Sequence, residues 1–179
     1  SPFFMNFFEK SEQRWLTVVK SGDIINSSNS GGTLMYSFNG RFNHQLDAKN
    51  RIRIPAKFKA DLGTDYKFAF GPNKSIYVMP FSEYRKILDS FGDVSYFDDE
   101  MQEAISDFTA MVYDVTEDNQ GRVVIPGELK DFAEIDKDIV ITGAASFLRI
   151  ESLKNFEERN KHKDVKSVFA KLKALKTDN

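Results

Sequence analysis

Two arginines, Arg51 and Arg122, each stand four residues after an aspartate, Asp47 and Asp118, and four before a proline, Pro55 and Pro126. A guanidinium carries five N–H donors in a planar fork that fits a carboxylate or a phosphate. This spacing therefore suits anion recognition, or the bracing of a turn by an ion pair, better than bond-making. The chain has no cysteine, so thiolate nucleophiles, disulfides and cysteine-bound zinc are excluded. Its two histidines, His44 and His162, have no partner at metal-ligand spacing and read as surface or strand residues. The acids Asp98-Asp99-Glu100 read as a solvated helix start, and Gly71-Pro72-Asn73-Lys74-Ser75 as a hairpin turn without the spacing of a phosphate loop. No catalytic residue, metal, cofactor or small-molecule substrate is expected.

Asp47, Arg51 and Pro55 recur as Asp118, Arg122 and Pro126 at a constant separation of 71 residues. One duplicated unit is the simplest cause. Before Arg51, the alternation of Phe38, Phe42, His44 and Leu46 with Arg41, Asn43 and Gln45 predicts a half-buried strand. Asp47-Ala48-Lys49-Asn50 supplies turn chemistry, and the next strand puts Ile52 and Ile54 inside with Arg51 and Arg53 outside. Pro55 opens a short helix carrying Phe58 and Leu62, followed by strands over Lys67–Phe70 and Ser75–Met79. The unit is β-β-α-β-β. It repeats in Val112–Val115, Arg122–Ile125, a helix with Leu129 and Phe132, and strands over Asp138–Thr142 and Ser146–Ile150. At the same offset, Asp65 meets Asp136 and Ser75 meets Ser146. Between the copies, Ser82 is expected to cap one helix and Asp98 another, whose Met101, Ile105, Phe108 and Met111 share a stripe.

These signals divide the chain into an N-terminal extension (1–34), a first repeat (35–88), a connecting helix (89–110), a second repeat (111–156) and an amphipathic tail (157–179). The extension, with its Asn- and Ser-rich end, reads as disordered or non-native, Met35 as the natural start, and a functional flexible arm is the other reading. In the tail, Val165, Val168, Phe169, Leu172 and Leu175 form a helical stripe among lysines, suited to a neighbouring subunit. A net charge of −2 leaves no global basic field, so a nucleic-acid surface has to be local.

The run Leu46-Asp47-Ala48-Lys49-Asn50-Arg51-Ile52-Arg53-Ile54-Pro55, echoed by Asp118-Asn119-Gln120-Gly121-Arg122-Val123-Val124-Ile125-Pro126, resembles the MraZ family of bacterial transcriptional regulators. The likeness extends from about Met35 to Phe156, and Asp136–Gly143 also looks like the family's second-repeat strand. Asn50 stands where glycine is usual in that turn. The resemblance implies an α+β fold: a tandem-duplicated, swapped-hairpin AbrB-like β-barrel with short peripheral helices, assembling into ring-shaped homo-oligomers. It also implies a cytoplasmic, nucleoid-associated, non-enzymatic protein. Its partner would be double-stranded DNA, at direct repeats in the promoter of its own division and cell-wall gene cluster.

A basic two-stranded ribbon can enter or straddle a DNA groove. From Arg41 to Lys59, the cations Arg41, Lys49, Arg51, Arg53, Lys57 and Lys59 face only Asp47, a local charge of +5. Around the second turn, Arg122 and Lys130 are outnumbered by Asp114, Glu117, Asp118, Glu128 and Asp131, a local charge of −3. The first copy is therefore expected to face DNA and the second to complete the barrel and ring. Asp47, Asp118, Pro55 and Pro126 are assigned to the turn itself. Arg51 is the leading DNA contact; Lys49, Arg53, Lys57, Arg41 and Arg122 are further candidates, each open to an ordinary structural or solvated role. A ring or division scaffold that binds no DNA is the competing reading.

Overall fold

The structure, a computed structural model, describes residues 37–92 and 95–177. The N-terminal extension and the start expected at Met35 lie outside the described residues. Among the described residues are eight strands and six helices. The first repeat runs β1 (Arg41–Gln45), β2 (Arg51–Arg53), α1 (Ala56–Leu62), β3 (Tyr66–Gly71) and β4 (Ser75–Pro80). Two helices, α2 (Phe81–Asp89) and α3 (Asp99–Ala110), lead to the second. It runs β5 (Val112–Asp114), β6 (Arg122–Val124), α4 (Gly127–Phe132), β7 (Asp138–Ala144) and β8 (Phe147–Ser152). The helices α5 (Leu153–Asn160) and α6 (Val165–Thr177) follow.

Among the described residues, four of the six strand pairings cross between the two repeats. A six-stranded antiparallel sheet has the order β1-β7-β8-β4-β3-β5, and β2 pairs with β6 in a separate two-stranded ribbon. Strand β1 thus lies against β7 of the second copy, and β5 against β3 of the first. The pairing is mixed α+β and antiparallel; among the described residues it is an open sheet plus a ribbon, without a closed barrel. Both repeats fall within one compact unit.

The alternation in the sequence has the expected outcome: Phe38, Leu46, Ile52 and Ile54 are buried while Arg41, Asn43, Gln45 and Arg53 are exposed. These apolar side chains join Phe58, Leu62, Val123, Ile125, Leu129 and the inner faces of β3, β4, β7 and β8 in a single core. Each fully buried Ile or Leu in such a core contributes about 2 kcal/mol relative to exposure. The first strand is shorter than its pattern suggests, because Gly40 takes a φ of +103°. Pairing nonetheless stays in register past this break, through Gly143 N–H to Gly40 O at 2.9 Å and the Phe38–Ala145 bridge.

Two sequence expectations are corrected. Ser82 is not a cap: α2 begins at Phe81 behind Pro80, whose φ of −57° already suits a helix start. Prolines stand likewise before α1 and α4, at Pro55 and Pro126, whereas Asp98 does cap α3 by accepting from Met101 N–H. The offset of 71 also does not persist along the repeat. Phe42 pairs with Ile141 where Tyr113 pairs with Phe68, so Phe42 matches Tyr113 at 71 but Phe68 matches Ile141 at 73. Three residues separate Gly71 from Ser75 in the first hairpin but two separate Ala144 from Phe147 in the second, which brings the offset back to 72 between β4 and β8. Asp65 with Asp136 and Ser75 with Ser146 are therefore coincidences of counting. The copies differ by two extra residues before β7 and one fewer in the final hairpin.

Candidate nucleic-acid interface

The two Asp-to-Arg turns are built alike. Asp47 Oδ1 accepts the backbone N–H of Lys49 at 2.8 Å and of Arg51 at 3.0 Å. Its Oδ2 accepts Arg51 Nε at 2.8 Å and lies 2.7 Å from Nη2. In the second turn, Asp118 Oδ1 accepts Gln120 N–H at 2.9 Å and Arg122 N–H at 3.0 Å, and Oδ2 takes Arg122 Nε at 2.8 Å and Nη2 at 2.7 Å. The Arg51 and Arg122 side-chain hydrogen bonds, then the backbone ones, hold both aspartates down at about 2. Each loop closes with a left-handed residue, Asn50 at φ +55° and Gly121 at φ +69°. Asparagine is the side chain that best tolerates this region, which accounts for Asn50 in the glycine position.

The ribbon brings the turns onto one surface. Because β2 and β6 run antiparallel, with Ile52 opposite Val123, the buried pair pins the ribbon to the core and the flanking Arg51, Arg53 and Arg122 face outward. Contacts cross between copies: Arg51 Nη1 reaches Asp118 Oδ2 at 3.3 Å, and Arg53 Nη2 donates to the carbonyl of Gln120 at 2.8 Å. Ile125 N–H also donates to Asn50 O at 3.0 Å. Lys49 is exposed beside them. Four cations, Lys49, Arg51, Arg53 and Arg122, share this surface with two carboxylates, for a formal +2.

The sequence-counted stripe is less continuous in space. Lys59 is taken up by Glu117 of the second copy, which also accepts the Tyr66 hydroxyl at 2.6 Å. Burial pushes the Tyr66 hydroxyl up to about 12, so it serves as a donor there. Lys57 Nζ donates to Asn39 Oδ1 at 2.9 Å, away from the turn. Arg41 sits at the far end of β1 from Asp47, roughly 20 Å along an extended chain, with its guanidinium 5.3 Å from the Phe156 ring centroid. Counting along the chain assigned Glu117 to the acidic second turn and did not show that it and the Gln120 carbonyl meet Lys59 and Arg53 of the first copy. Their signal was the antiparallel pairing of the two copies, which a linear charge count ignores.

No described helix is long and apolar enough to cross a membrane. Residues 109–179 match the family model described as "MraZ protein, putative antitoxin-like". Three similar relatives each carry the name transcriptional regulator MraZ. The Clostridium tetani protein is 33% identical over 69% of this chain and 87% of its own length, and that of Bifidobacterium longum is 34% identical over 60% and 71%. The Clostridium acetobutylicum protein is 30% identical over 77% of this chain and 98% of its own length. A match spanning 77% of the chain necessarily takes in both turns. The doubled Asp-pinned turn and these likenesses together place the chain in the MraZ family of transcriptional regulators.

Proposed function

We propose that the ribbon and its two turns bind double-stranded DNA, with Lys49, Arg51, Arg53 and Arg122 as the contact residues. The observation that carries this is the joining of two identical Asp-clamped turns by β2 and β6 into one outward surface. Clamping does not exhaust the arginines. Asp47 occupies the Nε proton and one Nη2 proton of Arg51 and Asp118 takes one Nη1 proton, so two donors can serve a phosphate oxygen in an orientation already paid for. Arg122 is clamped by Asp118 in the way that Arg51 is clamped by Asp47. The carboxylates repel phosphate, but four cations outnumber two aspartates, so the surface attracts a polyanion. Arg41 and Lys57 are secondary contacts, reached only if DNA extends past the ribbon.

This reading places the second turn at the DNA beside the first, and not chiefly in the barrel. The strand exchange between repeats supports a swapped-hairpin barrel related to AbrB. The protein would act in the cytoplasm, at the nucleoid, as a ring-shaped homo-oligomer on direct repeats in the promoter of its own division and cell-wall genes. Mobility shifts across a salt series test the core of it. Affinity should fall with a log–log slope of about 0.9 per neutralised phosphate, and Lys49→Ala should reduce that slope by about one. Unchanged DNA affinity in both Arg51→Ala and Arg122→Ala proteins that remain folded would remove the site assignment, and an unmodified protein that shifts no DNA even at low salt would leave a ring or division scaffold as the better reading.

A further inference from the structure

Helix α6 spans Val165–Thr177, and every residue from Val165 to Ala174 is exposed. Its apolar stripe is nonetheless long: Val165 is 72% exposed, Val168 45%, Phe169 68% and Leu172 56%. Lys166 and Lys173 flank one side of this stripe and Lys171 the other, and the helix contains no acid. A helix of 13 residues is marginal in water without packing, so this one gains its stability when the stripe is covered.

The chain also carries the complementary surface. Helix α3 is exposed along its length except at Ile105, Phe108 and Thr109, and Phe108 lies against Tyr84 and Phe91. With the residues just before it, it presents Tyr96 at 84%, Phe97 at 88% and Met101 at 41% exposure. Within α3, Met101 and Ile105 share one face at four-residue spacing, exposed Phe97 stands just before the helix, and Glu100, Glu103 and Asp107 line the neighbouring flank. No lysine or arginine occurs between Lys86 and Arg122. The two exposed apolar stripes of the described residues therefore carry opposite charge.

We propose that α6 of one copy docks on the α3 face of a second copy, Phe169 and Leu172 covering Phe97 and Met101 while the lysines meet Glu100, Glu103 and Asp107. Because donor and acceptor surfaces differ, the contact is head-to-tail and propagates until it closes, unlike a self-complementary dimer. It supplies a contact for the homo-oligomer of the proposed function, and requires no DNA.

Charge reversal in both helices tests this, with mass measured by analytical ultracentrifugation in the absence of DNA. The unmodified chain should sediment as a multimer. Lys166→Glu with Lys173→Glu, or Glu103→Lys with Asp107→Lys, should each drop it to the monomer at moderate salt. Mixing the two variants, or combining all four changes in one chain, should restore the multimer, which a merely misfolded variant could not do. An unmodified chain that is monomeric would overturn both the ring and this contact. Multimers of unchanged mass in the single-helix variants would overturn the contact alone. Loss of assembly with no restoration in the mixture would also overturn it, as would lysine-dependent binding to phosphatidylglycerol vesicles with mass unaffected by the α3 changes.

Discussion

Each turn aspartate accepts two backbone N–H groups and one guanidinium fork, and the neighbouring arginine holds its carboxyl well below the usual 3.8, at about 2. A carboxyl that is a stronger acid when folded stabilises the fold above its unfolded pKa, and that contribution vanishes as pH falls through the folded value. The melting temperature should therefore fall between about pH 4 and pH 2. Replacing both residues, Asp47→Asn with Asp118→Asn, should lower it at neutral pH and flatten the fall; equal slopes would show that the turns do not contribute. The pairing of aspartate with arginine was legible from their spacing, because it closes within a single turn. The partners of Arg53 and Lys59 were not, since Gln120 and Glu117 lie 67 and 58 residues away.

Among the elements, the ends of strands and helices depend on single residues. Gly143 has no room for a side chain, because a Cβ there would stand 2.3 Å from the carbonyl carbon of Phe38 and 2.4 Å from Asn39 N. Gly143→Ala must push the start of the first strand off β7, and should cost about 1–3 kcal/mol in chemical denaturation. Helix α5 is tied to the sheet at Glu151, which is fully buried and takes Arg159 Nε at 2.9 Å and Nη2 at 2.6 Å, with Arg149 at 3.1 Å. Arg159→Ala leaves that carboxylate short of a partner, and a loss of about 3 kcal/mol is expected. The same measurement on Arg159→Lys should recover only part, since an ammonium cannot reproduce the fork. Helix boundaries were legible where proline or aspartate marks them, at Pro55, Pro126 and Asp98. Ser82 misled because serine is a common cap, yet Pro80 takes the cap position two residues earlier.

For the molecule as a whole, assembly changes what one weak surface can do. A formal +2 on each ribbon surface is a modest attraction, so under the proposed function tight occupancy would need several subunits engaging neighbouring repeats. A DNA fragment with several repeats should bind about a hundredfold more tightly than one with a single repeat. Fluorescence titration of both fragments checks this, and equal affinities would exclude multivalent binding. The charge-reversed variants that lose assembly should bind the single repeat normally and lose the advantage of the longer fragment.

The order of elements, the duplication, the buried faces of β1 and β2 and the ion pair within each turn were present in the order of residues, because each depends on neighbours a few positions apart. Which strand pairs with which was not. Antiparallel pairing of β2 with β6 sets the acidic turn of one copy beside the basic turn of the other, so charges that oppose each other along the chain share one surface in space. The drift of the repeat offset from 71 to 73 and 72 has the same origin: register is set by hydrogen bonds and burial across the sheet, and chain length between strands adjusts to it.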